Sequence, residues 1–120
     1  MIGILDYGVG NVNAFLNVYK RLGIHAEAIS DPSCLYLASH LVLPGVGSFD
    51  YAMDRFNASG LKRLTEDLVI NSGIPLLGVC VGMQMLASRS DEGSASGLNW
   101  IPGSVVHFRA YNECKLPLPH

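Results

Sequence analysis

The stretch Gly78-Val79-Cys80-Val81-Gly82 places one cysteine between two glycines, at the end of an apolar run over residues 75–79. We predict that this run is a strand buried on both faces and that a helix follows over residues 81–88. Cys80 then occupies the turn between them, which is the layout of a nucleophile elbow, G-x-C-x-G. Small flanking residues let the chain pass close to its neighbours, and the cysteine side chain stands above the carboxyl edge of the sheet.

Strands and helices alternate along the rest of the chain. Apolar runs at residues 2–5 and 40–43 and a loose alternation of apolar and polar residues at 24–29 predict three more strands, and helical faces recur at residues 48–57 and 61–68. A further helix follows the first strand, where these apolar residues keep helical spacing: Val12, Phe15, Leu16, Tyr19 and Leu22. The alternation predicts an α/β fold, a mostly parallel open sheet with helices on both faces.

The last quarter of the chain has a different character. Residues 90–97 are small and polar, which predicts a loop. Residues 98–108 predict one or two antiparallel strands with Val105 and Val106 in the core. Two prolines within residues 115–120 disfavour a helix or a central strand there.

Length and composition exclude several classes of protein. The 120 residues fit a single domain over residues 1–120, without room for a second core. Hydrophobic residues make up 49%, charged residues 15%, and the mean hydropathy is +0.29, which excludes a disordered charged tail. A net charge of −2 and a pI near 6.0 predict no nucleic-acid partner, and short apolar runs predict no membrane span.

The cysteines and histidines predict neither a disulfide framework nor a metal site. Cys34, Cys80 and Cys114 are an odd number without a C-x-x-C pair, and the four histidines lack the spacing of metal ligands. The segment Met1–Asp6 has neither a basic region nor a long apolar stretch, so we expect it not to be a secretory signal. We therefore expect a cytoplasmic protein that binds no metal.

A second glycine-containing loop, Leu43-Pro44-Gly45-Val46-Gly47, also follows an apolar strand. Its glycines allow backbone N–H groups to turn towards a ligand. The backbone of residues 46–47 and the N–H of Val81 would together form an oxyanion hole with two donors. Taken separately, each motif has a simpler explanation: a buried cysteine that acts as a small hydrophobe, and an ordinary Pro-Gly turn.

The sequence of residues 78–84 resembles the nucleophile motif of class I (triad-type) glutamine amidotransferases. Three other segments narrow this resemblance to the glutaminase subunits of imidazole glycerol phosphate synthase. They are Ile4-Leu5-Asp6-Tyr7-Gly8-Val9-Gly10-Asn11, Leu43-Pro44-Gly45-Val46-Gly47-Ser48-Phe49 and Trp100-Ile101-Pro102-Gly103.

The resemblance implies roles for residues at matching positions. Cys80 would attack the side-chain amide of L-glutamine, with Gly47 and Val81 as oxyanion donors and Gly45 and Gln84 in contact with the substrate. No cofactor is implied. The ammonia would pass to a (β/α)₈-barrel cyclase partner, which makes imidazole glycerol phosphate in histidine biosynthesis.

One departure from the family concerns the general base. The family uses a histidine oriented by a glutamate in a His-x-Glu element, and cysteine attack of this type relies on such a base. After Cys80 the sequence has only His107 and His120, and neither has a carboxylate two residues on. We therefore expect residues 1–120 to be an incomplete domain, truncated at its C-terminal end, with the nucleophile and oxyanion portion but no base.

Three alternatives remain open from the sequence. One is a paralogous amidotransferase that supplies ammonia to a sugar-modifying synthase for surface polysaccharide. Another is a different α/β protein with a cysteine nucleophile, such as a hydrolase or a DJ-1-like protein. The third is a non-catalytic partner-binding or nucleotide-binding module, suggested by Gly8-Val9-Gly10, although Asn13 stands where a dinucleotide fingerprint has its third glycine.

Overall fold

The computed structural model of the chain describes residues 1–107. Cys114, residues 115–120 with His120, and the last residue of the segment 98–108 lie outside the described residues, so the predictions made for them stay predictions.

Four strands form one parallel sheet in the order β2-β1-β3-β4. They are β1 (Ile2–Leu5), β2 (Ala26–Ile29), β3 (His40–Leu43) and β4 (Leu76–Gly78). The predicted strand positions and the parallel arrangement are confirmed.

Helices lie on both faces of this sheet, as predicted. They are α1 (Val12–Arg21), a 3₁₀ helix (Pro32–Leu37), α2 (Phe49–Ala58), α3 (Lys62–Glu66) with a π-helical turn (Asp67–Asn71) after it, and α4 (Val81–Met85). Because parallel crossovers are right-handed, α1 covers one face, and the 3₁₀ helix, α2 and α3 cover the other. Along residues 1–107, every helix is too short or too polar to cross a membrane.

Side-chain caps set where the helices after β1 and β3 begin. The Oδ1 of Asn11 accepts a hydrogen bond from the Ala14 N–H at 3.1 Å, and the Oγ of Ser48 accepts one from the Tyr51 N–H at 3.0 Å. These caps fix the lengths of the two loops that precede the helices, residues 6–11 and residues 44–48.

The two faces of the sheet are covered to different degrees. The face of α2 that packs on the sheet is fully buried and consists of Phe49, Ala52, Met53 and Phe56. In contrast, α1 buries none of its residues completely, and Leu22, which follows it, is 64% exposed. The predicted apolar stripe of α1 is therefore only half-buried.

The prediction that residues 75–79 are buried on both faces is wrong. Leu77 in the middle of β4 is 56% exposed. The reason is that α1 packs on β1 and β2, and so leaves the same face of β4 uncovered within residues 1–107.

The helix after Cys80 is shorter than the predicted 81–88. It ends at Met85, because the carbonyl oxygens of residues 85–87 accept hydrogen bonds from residues 98–101, where the chain passes back over the end of α4. Met85 accepts from Leu98 (2.7 Å), Leu86 from Ile101 (2.9 Å) and Ala87 from Asn99 (3.1 Å).

This return also changes the pairing in the last part of the described chain. β5 (Arg89–Ser90) pairs with β6 (Ser104–Val105) in parallel, whereas the sequence predicted antiparallel strands. The chain crosses the end of α4 between the two strands, so β6 runs in the same direction as β5. Val105 and Val106 are half-buried and are not core residues as predicted.

Candidate active site

The site lies at the carboxyl edge of the sheet, where the strand order changes direction. From β1 the chain crosses to β2 on one side, while β3 and β4 lie on the other. Open α/β sheets bind ligands in the crevice at such a point. Residues 6–11 (the β1 loop) and residues 44–48 (the β3 loop) border this crevice, and Cys80 follows β4 beside it.

Cys80 has a strained backbone in the turn before α4. Its φ of 55° and ψ of −125° are uncommon for any residue except glycine. The turn is held on both sides, since the Val79 N–H donates to the Leu43 carbonyl at 3.0 Å and the Gly82 N–H donates to the Val79 carbonyl at 2.9 Å. The thiol itself is exposed and free.

The glycines on either side of Cys80 are required by close backbone packing. A Cβ on Gly82 would lie 1.9 Å from the Leu43 carbonyl oxygen, and a Cβ on Gly78 would lie 2.7 Å from the Met83 Cα. Backbone atoms cannot move aside as a flexible side chain can. The predicted reason for the two small residues of the elbow is thus confirmed.

The β3 loop lies directly against the start of α4. A Cβ on Gly45 would lie 2.6 Å from the Gly82 nitrogen and 3.1 Å from the Val81 carbonyl carbon. Gly47 has a φ of +80°, which glycine adopts without strain. No atom lies within 4 Å of the place that a Cβ on Gly47 would occupy. The fold therefore brings Gly45 and Val81 together next to Cys80.

Several backbone donors at this place are unpaired. Within residues 1–107, the N–H groups of Gly45, Val46, Gly47 and Val81 make no hydrogen bond. Unpaired N–H groups beside a nucleophile are the chemical requirement for an oxyanion hole. The assignment of Gly47 and Val81 as its donors remains a prediction.

Gln84 lies one helical turn after Cys80 and borders an open groove of about 510 Å³, together with Met83, Leu86, Ile101 and Val105. The Oε1 of Gln84 is buried and has no hydrogen-bond partner among residues 1–107. A buried acceptor without a donor costs about 1–3 kcal/mol. A ligand that donates to this oxygen would remove the cost, but contact with substrate remains a prediction for Gln84, as it does for Gly45.

Tyr7 belongs to a loop, residues 7–11, that the sequence predicts to lie near the site and the partner interface, but no role for its side chain was predicted. Its side chain is buried, its hydroxyl donates to the Pro44 carbonyl oxygen, and it lies 3.5 Å from the Met85 sulfur. Its ring contacts Phe56 edge-on, with centroids 5.3 Å apart. Burial raises the pKa of the Tyr7 hydroxyl, which therefore stays protonated as a donor. The available signal was a tyrosine two residues after the first strand, since buried tyrosine hydroxyls usually find a partner.

Asp50 joins the start of α2 to the segment after β5. Its carboxylate accepts hydrogen bonds from the N–H of Ser94 (3.0 Å), the N–H of Ala95 (2.8 Å) and the hydroxyl of Ser94 (3.2 Å). The backbone N–H of Ser94, followed by that of Ala95, lowers the pKa of Asp50. No local pattern signals this contact, because Ser94 and Ala95 are 44 and 45 residues away from Asp50 in the sequence.

His25 and His40 do not form a catalytic pair with Cys80. His25 precedes β2 and His40 begins β3, so both lie at the amino edge of the sheet, opposite Cys80. The backbone N–H of His107 donates to Asp91 at 3.2 Å. Residues 1–107 also contain no group of three or more His, Cys, Asp or Glu residues that could hold a metal ion.

Comparisons with known proteins agree with this arrangement. A family model described as glutamine amidotransferase class-I matches residues 4–105. The imidazole glycerol phosphate synthase subunit HisH of Bdellovibrio bacteriovorus is 52% identical over 109 residues, which cover 91% of this chain and 53% of that protein. The subunit of the same name from Leptospira borgpetersenii is 54% identical over 108 residues, 90% of this chain and 53% of that protein.

A solved structure shows the same fold. The crystal structure of a glutamine amidotransferase superposes with a TM-score of 0.65 at 24% identity, over 75% of this chain and 47% of that chain. The present chain spans about half the length of the relatives that it matches.

Proposed function

Since this chain belongs to the class-I glutamine amidotransferase family, we propose that it carries the nucleophile and oxyanion portion of a glutaminase that releases ammonia from L-glutamine. The observation that carries the proposal is the setting of Cys80. Its exposed thiol stands on a strained turn at the switch point of the sheet, beside N–H groups that have no partner within residues 1–107.

The proposed reaction is acyl transfer through a thioester. The Cys80 sulfur, as a thiolate, attacks the side-chain amide carbon of glutamine, and the amide oxygen becomes an oxyanion. The N–H groups of Gly47 and Val81 donate to that oxygen. The carbon–nitrogen bond then breaks, the nitrogen takes up a proton and leaves as ammonia, and water hydrolyses the γ-glutamyl thioester to glutamate and the free thiol.

This chemistry needs a group that moves protons. The thiol proton must be accepted, and the leaving nitrogen must be protonated, which a histidine oriented by a carboxylate does in triad enzymes. His25 and His40 lie at the wrong edge of the sheet for this task. His107 is followed by Phe108 and Arg109, so it lacks the glutamate of a His-x-Glu element. We therefore propose that residues 1–120 lack a complete histidine–glutamate pair that could serve Cys80.

The partner follows from the relatives. They are named as subunits of imidazole glycerol phosphate synthase. We propose that the ammonia passes to a (β/α)₈-barrel cyclase, which uses it to make imidazole glycerol phosphate in histidine biosynthesis. Exposed apolar side chains at the carboxyl edge, such as Val46 (55% exposed) and Met83 (59% exposed), would be covered by that partner.

An affinity label tests the proposed nucleophile and substrate together. The diazoketone analogue of glutamine, 6-diazo-5-oxo-L-norleucine, reacts with a thiol by protonation of the diazo carbon, formation of a C–S bond and loss of N₂. The proposal predicts labelling of Cys80 that excess L-glutamine suppresses, no label on Cys34, and none on the Cys80→Ala chain. A chain whose Cys80 reacts with iodoacetamide but never with the glutamine analogue would show that the proposed substrate is wrong.

Glutamate release tests where the base lies. The 120-residue chain, mixed with the barrel cyclase and glutamine, should release no more glutamate than the Cys80→Ala chain does. Sustained turnover that Cys80→Ala abolishes would place a working base within these residues and contradict the proposal on that point.

A further inference from the structure

The β3 loop has little in its own sequence to keep it in one conformation. Gly45 and Gly47 allow many backbone conformations, and the N–H groups of Gly45, Val46 and Gly47 make no hydrogen bond within residues 1–107. A glycine loses more conformational entropy than any other residue when its backbone becomes ordered. Something outside the loop must therefore hold it if its N–H groups are to keep fixed directions.

The β1 loop approaches the first peptide of the β3 loop at two points. At one, the Tyr7 hydroxyl donates to the Pro44 carbonyl oxygen. At the other, Gly10 comes so close that a Cβ on it would be 2.9 Å from the Pro44 Cβ and 3.3 Å from the Gly45 nitrogen. Because the C=O and N–H of a trans peptide point in opposite directions, holding the Pro44 carbonyl also fixes where the Gly45 N–H points.

Tyr7 also connects this peptide to the helix that carries the nucleophile turn. Its hydroxyl is 3.5 Å from the Met85 sulfur, and a Cβ on Gly45 would be 3.2 Å from the same hydroxyl. The ring is locked against Phe56 of α2. Tyr7 is thus held by two elements other than the β3 loop, α4 at its hydroxyl and α2 at its ring.

We propose that Tyr7 is a positioning residue whose hydroxyl, through its hydrogen bond to the Pro44 carbonyl, sets the direction of the backbone N–H groups of the β3 loop. It does not touch the substrate; it acts through Pro44. Its part in catalysis rests on the proposed glutaminase function, whereas its hold on the loop does not.

Nuclear magnetic resonance of the chain tests the hold on the loop. Tyr7→Phe keeps the ring and removes only the hydroxyl. We expect the ¹⁵N order parameters of Gly45, Val46 and Gly47 to fall from about 0.85 to below about 0.6, while those of β1 and β3 keep their values. The ¹³C resonance of the Pro44 carbonyl should shift as it loses its donor.

Two matched variants separate positioning from packing. Met85→Leu removes the sulfur contact but leaves the bond to Pro44, and Tyr36→Phe removes a hydroxyl from a residue that is 68% exposed. Both should leave the order parameters of the β3 loop at the rigid value. The proposal is overturned if Tyr7→Phe leaves the loop rigid, if it loosens the whole domain equally, or if Met85→Leu loosens the loop as much.

The affinity label supplies the catalytic readout. In Tyr7→Phe we expect the maximal rate of Cys80 labelling by the diazoketone to fall by about tenfold, with half-saturation little changed, because the carbonyl of the analogue is misplaced rather than unbound. A wild-type rate in Tyr7→Phe, or a loss confined to half-saturation, would contradict positioning. If the wild-type chain is not labelled at all, the proposed function fails, and the order parameters still decide whether Tyr7 holds the loop.

Discussion

At the carboxyl edge of the sheet, Gly45, Gly78 and Gly82 lie where a Cβ would come within 2.8 Å of another backbone atom, whereas at the amino edge Gly23 and Gly73 face open space. The amino-edge glycines have φ values of +71° and +72° and serve only to reverse the chain. Gly45, Gly78 and Gly82 instead allow separate loops to come into contact, whereas Gly47 at the same edge has open space around it. The same residue type thus marks a turn at one edge and a densely packed site at the other, and the exposed Cys80 belongs to the second.

The largest effect should come from adding one methyl group to the packed edge. Gly82→Ala would place a Cβ 1.9 Å from the Leu43 carbonyl oxygen, so either β3 or the nucleophile turn must move. We expect a loss of about 4 kcal/mol or more in the free energy of unfolding, or no folded protein at all. Urea denaturation followed by circular dichroism measures it.

Gly73→Ala is the matched control at the other edge. Its φ of +72° strains an alanine, but no atom lies within 4 Å of the new Cβ. A loss of only about 1 kcal/mol is expected. Equal losses for Gly73→Ala and Gly82→Ala would mean that the two edges do not differ in the way described.

A smaller change, here a gain in the free energy of unfolding, should follow when the backbone strain at Cys80 is removed. Its φ of 55° suits glycine better than any residue with a Cβ. Cys80→Gly should therefore be more stable than Cys80→Ala by about 1–2 kcal/mol, although both lack the thiol. The comparison uses the same urea titration, and a Cys80→Ala chain as stable as Cys80→Gly would show that the turn is relaxed.

The smallest effect concerns pH and the segment held by Asp50. Its pKa is lowered in the folded chain by the N–H groups of Ser94 and Ala95, so the interaction is complete above the unfolded pKa of about 4 and is lost as pH falls through the folded value. We expect the protection factors of the Ser94 and Ala95 amides to fall below about pH 4, measured by hydrogen exchange corrected for intrinsic rates.

Two variants check this assignment. Asp50→Asn should show low protection of both amides at every pH, while Asp54→Asn, on an exposed position of the same helix, should behave as the wild type does. Protection that falls with pH in Asp50→Asn as it does in the wild type would assign the transition to another group.

Local patterns predicted the parts of the fold that depend on local physics. The four parallel strands follow from short apolar runs between turns, and the elbow follows from a cysteine between two glycines. The end of α4 at Met85 could not be predicted, because the donors that take up the next carbonyls come from residues 98–101. Exposure of Leu77 likewise depends on where α1 packs, which no local pattern encodes.

The site was predictable to the same degree. Cys80 and the β3 loop stood out because each has a turn signature directly after a strand. The loop of Tyr7 was also expected near the site, but the contact of Tyr7 was not, since its partner Pro44 is 37 residues away and only the pairing of β1 with β3 brings them together. Motifs reveal residues whose chemistry is local, and the groups that orient them emerge only from the packed structure.

The decisive measurement is whether L-glutamine protects Cys80 from alkylation, with Cys34 as the internal control. Iodoacetamide alkylation of Cys80 and Cys34 can be followed in the same molecules by mass spectrometry, with and without L-glutamine. With glutamine at about ten times its dissociation constant, alkylation of the exposed Cys80 should slow by about tenfold while the half-buried Cys34 reacts at an unchanged rate. Equal rates at Cys80 with and without glutamine would contradict a glutamine site at the carboxyl edge.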